Sequence, residues 1–137
     1  MTYSNQLKGL CLKPLLLIAI GSALGGVLRY LVSQGIHILL GRNFPYGTLS
    51  VNLLGCLLMG LLFVLILEKF QQLAPGLRPL LLIGLLGGFT TFSSFTIETI
   101  NLWESEKPLR ALINILTTTI GCITATWLGV LLGRGFK

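Results

Sequence analysis

Gly87-Gly88-Phe89-Thr90-Thr91-Phe92-Ser93-Ser94-Phe95-Thr96-Ile97-Glu98 interrupts an apolar run that otherwise reads as a membrane helix. Adjacent glycines lose much backbone entropy on ordering, and the threonine hydroxyls that follow compete for backbone groups. The stretch therefore predicts a third helix broken near Gly87–Thr91. Carbonyls freed at membrane depth survive only when buried in protein or facing water or an ion. Broken helices use such carbonyls to bind Na+. Beyond the break, Phe92 and Phe95 share a face at i, i+3, interleaved with hydroxyls rather than leucines, and Thr91, Ser94, Phe95 and Glu98 form a partly polar stripe. A phenyl ring carries partial positive charge at its edge. Rings presented edge-on beside hydroxyl donors suit a small, hard anion; the alternative is plain packing.

Outward from this stretch, the 137-residue chain is 53% hydrophobic and 10% charged, with a mean hydropathy of +0.87. Soluble domains carry about 25% charged residues. Four apolar segments stand out, at about 14–40, 47–67, 80–103 and 109–132, separated by turn and charge signals such as Glu68-Lys69, Pro75-Gly76 and Glu106-Lys107-Pro108. Spans of about 20 residues each use most of the chain, which predicts an all-α, four-helix protein with a single transmembrane domain over 1–137. That excludes an extramembrane catalytic domain, so no enzyme and no organic cofactor are expected. Ten Lys and Arg against four Asp and Glu give +6. Placed between apolar runs, these charges suit lipid headgroups rather than nucleic acid.

An even number of spans puts both termini on one side. Lys8, Lys13, Lys69, Arg78, Arg134 and Lys137 then face that side, and Arg42, Lys107 and Arg110 the other. The surplus is a weak bias toward cytoplasmic termini and is compatible with insertion in both orientations. The run from Pro14 to about Leu40 is too long for a secretory h-region and reads as a retained first span. Cys11, Cys56 and Cys122 are scattered, odd in number and without C-x-x-C spacing; they read as inert packing residues rather than redox or metal groups. Gly21-x-x-x-Gly25, Gly84-x-x-x-Gly88 and Gly129-x-x-x-Gly133 match the pattern that lets membrane helices approach closely. Four spans enclose little interior, so part of that packing is expected between subunits of an obligate oligomer.

Polar side chains inside the apolar runs are few, and each needs a partner or a function. Arg29 shares a helical side with Gly26, Gly25 and Ser22; it either snorkels to headgroups or holds an anion or a carbonyl. His37, close to the loop, reads as interfacial. Asn52, with Thr48 at i−4 and Gly55 at i+3, lies on a narrow polar face. It is either a structural amide bonded to a neighbouring helix or an NH2 donor to a passing anion. Glu98, near the end of the third span, fits a mouth or vestibule better than a midplane proton site.

These residues resemble the Fluc (CrcB) family of fluoride ion channels. The third-span motif Gly87 to Phe95 carries the likeness. Gly25-Gly26-Val27-Leu28-Arg29 and Gly47-Thr48 through Asn52 to Gly55 agree with it, and the likeness extends over the whole chain. It implies an antiparallel, dual-topology homodimer in the plasma or inner membrane, with fluoride pores and a structural Na+ at the dimer interface. Gly87 and Thr90 would offer backbone carbonyls to Na+. Asn52, Phe92, Phe95, Thr91, Ser93 and Ser94 would line the anion pore, with Arg29 and Glu98 at a vestibule or pore end. Relatives often have Thr where this chain has Ser94, and a tyrosine where it has Asn114. Thr117, Thr118 and Thr119 in the fourth span could supply hydroxyls there.

The function expected from the resemblance is a passive channel exporting cytoplasmic fluoride and so conferring fluoride resistance. Two other classes compete: a small proton-coupled multidrug exporter, which would want a first-span carboxylate where this chain has Arg29, and a non-transporting scaffold whose glycines only assemble a partner.

Overall fold

The computed structural model describes residues 12–136, so Lys8, Cys11 and Lys137 lie outside the described residues. Helix α1 runs Leu12–Leu40 and α2 runs Tyr46–Val64, continued by a π-helical turn at Leu65–Lys69. The third span has two halves. The first, α3 (74–89), is α-helical at Ala74–Leu77, π-helical over Arg78–Leu86 and α-helical again at Gly87–Phe89; the second, α4, is Phe92–Glu104. The last helix, α5, runs Pro108–Gly135. With α2 counted to Lys69 and the third span to Glu104, four helical segments among the described residues are long and apolar enough to cross a membrane. At 1.5 Å per residue the 29-residue α1 reaches about 43 Å, more than the roughly 30 Å hydrocarbon layer.

Local chemistry sets the ends of these elements. Gly41 closes α1 with φ +78°, its N–H bonded to the His37 carbonyl at 2.9 Å. This is the left-handed position at which glycine ends helices. Pro108 opens α5 at its first position, where a missing N–H costs nothing. The π-helical stretch starts at Arg78-Pro79, where proline has no N–H to give and its ring crowds the carbonyl of the preceding turn.

The spans pack as two close pairs. Where α1 meets α3, a Cβ on Gly21 or Gly25 would overlap the Leu80 or Leu85 carbonyl oxygen, and one on Gly88 would stand 2.6 Å from the Ser22 oxygen. In the pairing of α2 with α5, a Cβ on Gly60 would overlap the Thr126 carbonyl and one on Gly129 the Leu57 carbonyl, while one on Gly133 would meet the Val64 side chain at 2.8 Å. All three small-residue motifs thus make close contacts within the chain. Lipid offers helices no hydrophobic driving force, so backbone-to-backbone contact does the holding. Conversely, Leu24, Val27, Leu31, Ile123 and Trp127 point outward, each more than half exposed.

The break in the third span lies one step later than its glycines. Gly87 keeps helical dihedrals (φ −64°, ψ −36°), whereas Thr90 (φ −77°, ψ 156°) and Thr91 (φ −149°, ψ 116°) are extended. Gly88 serves the contact with α1, and the threonines do the breaking. Thr91 caps α4 by accepting the Ser94 N–H on its side chain, a usual role for threonine.

Arg134 and Glu68 approach at 3.8 Å at one end of the bundle, and Arg110 donates to the Asn43 carbonyl at 3.0 Å at the other. The C-terminal end of α5 thus shares a side with the α2–α3 loop, as an even number of spans requires.

Candidate functional site

Asn52 and Thr91 form the centre of the site. The Asn52 amide donates from Nδ2 to the Thr91 carbonyl at 2.9 Å and accepts the Thr91 N–H on Oδ1 at 2.8 Å. Only one orientation of the amide serves both bonds. Both residues are buried, so α2 holds the two polar groups of an extended residue that would otherwise be orphaned at membrane depth. The structural and functional readings of Asn52 are compatible: its NH2 has two hydrogens, and Thr91 takes one.

Thr91 also organises the start of α4. Its hydroxyl donates to Ser94 Oγ at 3.0 Å and lies 3.2 Å from Ser93 Oγ. One turn on, Phe92 and Phe95 have ring centroids 5.4 Å apart at 48°. Phe95 is 8% exposed and Phe92 78%. The pair is tilted rather than stacked, so edges as well as faces are presented.

Three cavities lie along α4 and share residues. The first, about 330 Å³, is lined by Asn52, Thr91, Phe92, Phe95, Thr118 and Thr119, among others. A second, about 290 Å³, is lined by Arg29, Thr48, Thr91, Ser94 and Glu98. The third, about 310 Å³, opens toward the loops among His37, Arg42, Asn101, Lys107 and Glu98. Thr91 borders the first two and Glu98 the last two. The carboxylate of Glu98 accepts the Thr48 hydroxyl at 2.8 Å on Oε1, while Oε2 is buried with no partner among the described residues. Arg29 faces the same cavity and extends Nη1 to 3.5 Å from the Thr90 carbonyl.

The structure thus gathers Asn52, Phe92, Phe95 and Thr91 at one cavity and Arg29, Glu98, Thr91 and Ser94 at the next; Ser93 borders neither but touches Thr91. Of the fourth-span threonines, Thr118 and Thr119 line the first cavity, whereas the exposed Thr117 turns back to the Ile113 carbonyl at 2.7 Å. Asn114, 1% exposed, joins α5 to α4 by donating to Thr99 Oγ1 at 2.8 Å.

Sequence reasoning missed two features. The basic mouth of His37, Arg42 and Lys107 draws on two loops, so no local run announces it. Cys56 and Cys122, read as separate packing residues, are brought together on the wall of the first cavity. Only the α2–α5 pairing makes them neighbours.

Gly87 and Thr90 flank the break. The N–H that would serve the Gly87 carbonyl in a continuous helix belongs to Thr91, and Asn52 holds it instead. A Cβ on Gly87 would meet nothing nearer than the Leu82 oxygen at 3.9 Å, so its flank is open. Two carbonyl oxygens released from helical bonding are a suitable donor set for a hard cation.

Comparison with known proteins gives the family. Residues 16–130 match the profile of a family described as "CrcB-like protein, Camphor Resistance (CrcB)". A protein of Coxiella burnetii (strain Dugway 5J108-111) is 53% identical over 119 residues, 87% of this chain and 96% of the relative. Relatives from Magnetococcus marinus (48% identical over 117 residues, 85% of this chain and 94% of the relative) and Citrifermentans bemidjiense (41% over 123 residues, 90% and 98%) are similar in extent. All three are named fluoride-specific ion channel FluC. With four membrane-length helices, a third span broken at Thr90–Thr91 and relatives aligned over nearly their full lengths, this chain is a multi-pass membrane protein that belongs to the CrcB family.

Proposed function

We propose that this chain is a fluoride-selective channel that lets cytoplasmic fluoride leave the cell, working as an antiparallel, dual-topology homodimer with a structural Na+ at the subunit interface. The observation that carries the reading is the row of cavities along α4, joined at Glu98 and Thr91 and ending at Phe92 and Phe95. The names of the relatives supply the ion.

A narrow filter must replace the hydration shell of its ion with fixed donors. The remaining hydrogen of the Asn52 NH2 is one such donor. Thr91 gives its hydroxyl hydrogen to Ser94, which leaves the Ser94 hydrogen available to the neighbouring cavity. Ring edges of Phe92 and Phe95 add weak positive charge without a full cation, so the ion is bound and also released. Arg29, and at the mouth Arg42 and Lys107, concentrate anions ahead of the narrow part. Chloride, being larger, is excluded by width.

Phe92, 78% exposed on the isolated chain, supports a dimer: a ring lining a path needs an opposite wall, which a second copy supplies. The freed carbonyls of Gly87 and Thr90 are the groups that would hold Na+, whose charge would tie the two broken helices together.

Purified protein in fluoride-loaded liposomes, followed with a fluoride electrode, tests this. The unmodified chain should release fluoride and retain chloride. Phe92→Ile and Phe95→Ile should each reduce efflux to that of protein-free vesicles while the dimer survives. Undiminished efflux in both variants overturns the pore assignment, and no efflux from the unmodified chain overturns the channel.

A further inference from the structure

The other long helices pack through glycines, but α4 contains none and cannot bring its backbone against a neighbour in that way. Side-chain hydrogen bonds hold it instead. Along one side it is tied to α2, by Asn52 to its cap Thr91 and, further on, by the Thr48 hydroxyl to Glu98 at 2.8 Å. Bonds to a single neighbour act as a hinge: they fix where α4 begins and leave it free to swing about α2. Among the described residues, one side-chain hydrogen bond joins α4 to α5 and stops that swing, from Asn114 Nδ2 to Thr99 Oγ1 at 2.8 Å.

Hydrogen accounting fixes the direction of this bond. Thr99 spends its only hydroxyl hydrogen on the Phe95 carbonyl at 2.7 Å, so its oxygen is left to accept from the Asn114 amide. Asn114 is 1% exposed, and its Oδ1 takes the Thr118 hydroxyl at 3.5 Å. The α5 end of this clamp is firmly seated, because a Cβ on Gly60 would overlap the Thr126 carbonyl and one on Gly129 the Leu57 carbonyl. Thr99 and Asn114 each stand one helical turn from a residue of the first cavity, Phe95 on α4 and Thr118 on α5. The bond therefore joins the two walls one turn away from the place where Phe95 and Thr118 border the same space. Asn114 itself lines none of the three cavities.

From this mounting we infer that Asn114 is a positioning residue: through Thr99 it sets the gap between Phe95 and the α5 wall, and through that gap the discrimination of fluoride from larger halides. The buried amide acts by holding a helix in place, not by meeting an ion. Without it, α4 turns about its bonds to α2 and the gap widens. The effect on the ion rests on the channel reading above; the clamp between α4 and α5 does not.

Asn114→Leu and Thr99→Val each remove the bond with little change of volume, and Thr99→Ser keeps it. Full-length protein in liposomes loaded with fluoride or with chloride, followed by ion-selective electrodes, reads the ratio of the two effluxes. The fluoride-to-chloride ratio should fall about tenfold in Asn114→Leu and in Thr99→Val, the equivalent of one buried hydrogen bond. It should fall no further in the double variant and should keep the parent value in Thr99→Ser. A merely structural amide would lower the melting temperature and leave this ratio alone. A ratio unchanged in both single variants, a double variant that falls by the product of the two, or loss of fluoride efflux with no chloride gained overturns the inference. Where Asn114→Leu does not fold, Thr99→Val against Thr99→Ser makes the same decision. Melting in detergent separates the clamp from the channel: a double variant that loses the sum of the two single losses refutes the clamp, whereas no efflux from the unmodified chain refutes the channel reading.

Discussion

Asn52 carries the most structural responsibility of any single side chain in this protein. It satisfies both the N–H and the C=O of Thr91 at the break and so lets two extended residues exist inside a membrane helix. Replacement by Ala leaves both groups without a partner, at a cost of about 2–6 kcal/mol for two buried backbone groups. Replacement by Asp keeps the size but sets a carboxylate oxygen against the Thr91 carbonyl. Both variants should melt earlier than the parent in detergent, and fluoride efflux should collapse. Asn52→Ala that melts like the parent would show that Thr91 finds another partner. Phe92 behaves differently: it is largely exposed on the chain, so its loss should alter flux with little effect on folding.

At the level of the helices, glycine placement decides which elements pair. Gly25 and Gly88 stand where α1 and α3 bring backbone against backbone, whereas Gly26, next to Gly25, has nothing within 4 Å of its would-be Cβ. Gly25→Ala and Gly88→Ala should each lose about 1–3 kcal/mol through overpacking. Gly26→Ala should be neutral or gain up to about 1 kcal/mol from helix propensity. Thermal stability of the three purified variants reads the contrast, and equal melting of Gly25→Ala and Gly26→Ala would contradict the close approach.

Considered whole, the chain presents a cavity-bordering ring, Phe92, and an open flank at Gly87 on its surface, both of which suit a second copy. If Na+ on the Gly87 and Thr90 carbonyls holds two copies together, exchanging sodium for a bulky organic cation should lower the dimer fraction seen by cross-linking and reduce efflux in parallel. A dimer that persists unchanged would remove sodium from the interface. Orientation has its own readout. Six Lys and Arg on the terminal side against three on the other make only a weak bias, so C-terminal tags should be accessible from both faces of intact cells. Labelling from one face alone would exclude dual topology.

Membrane spans, loop positions and the irregular third helix were legible in the sequence because bilayer thickness demands long apolar runs, and hydroxyl-rich interruptions within them have few physical explanations. Asn52, Arg29 and Glu98 were legible for the same reason: polarity in hydrocarbon is costly and therefore conspicuous. Tertiary structure decided what those residues touch. Within the expected Gly87–Thr91 stretch it put the break at Thr90 and Thr91, because Gly88 is needed against Ser22 and Asn52 is there to hold Thr91. It turned the small-residue motifs inward and set Cys56 and Cys122 on one cavity wall. Hydropathy and spacing report one helix at a time, whereas a contact between α2 and α5 depends on which faces meet and at what depth, and no local pattern encodes that.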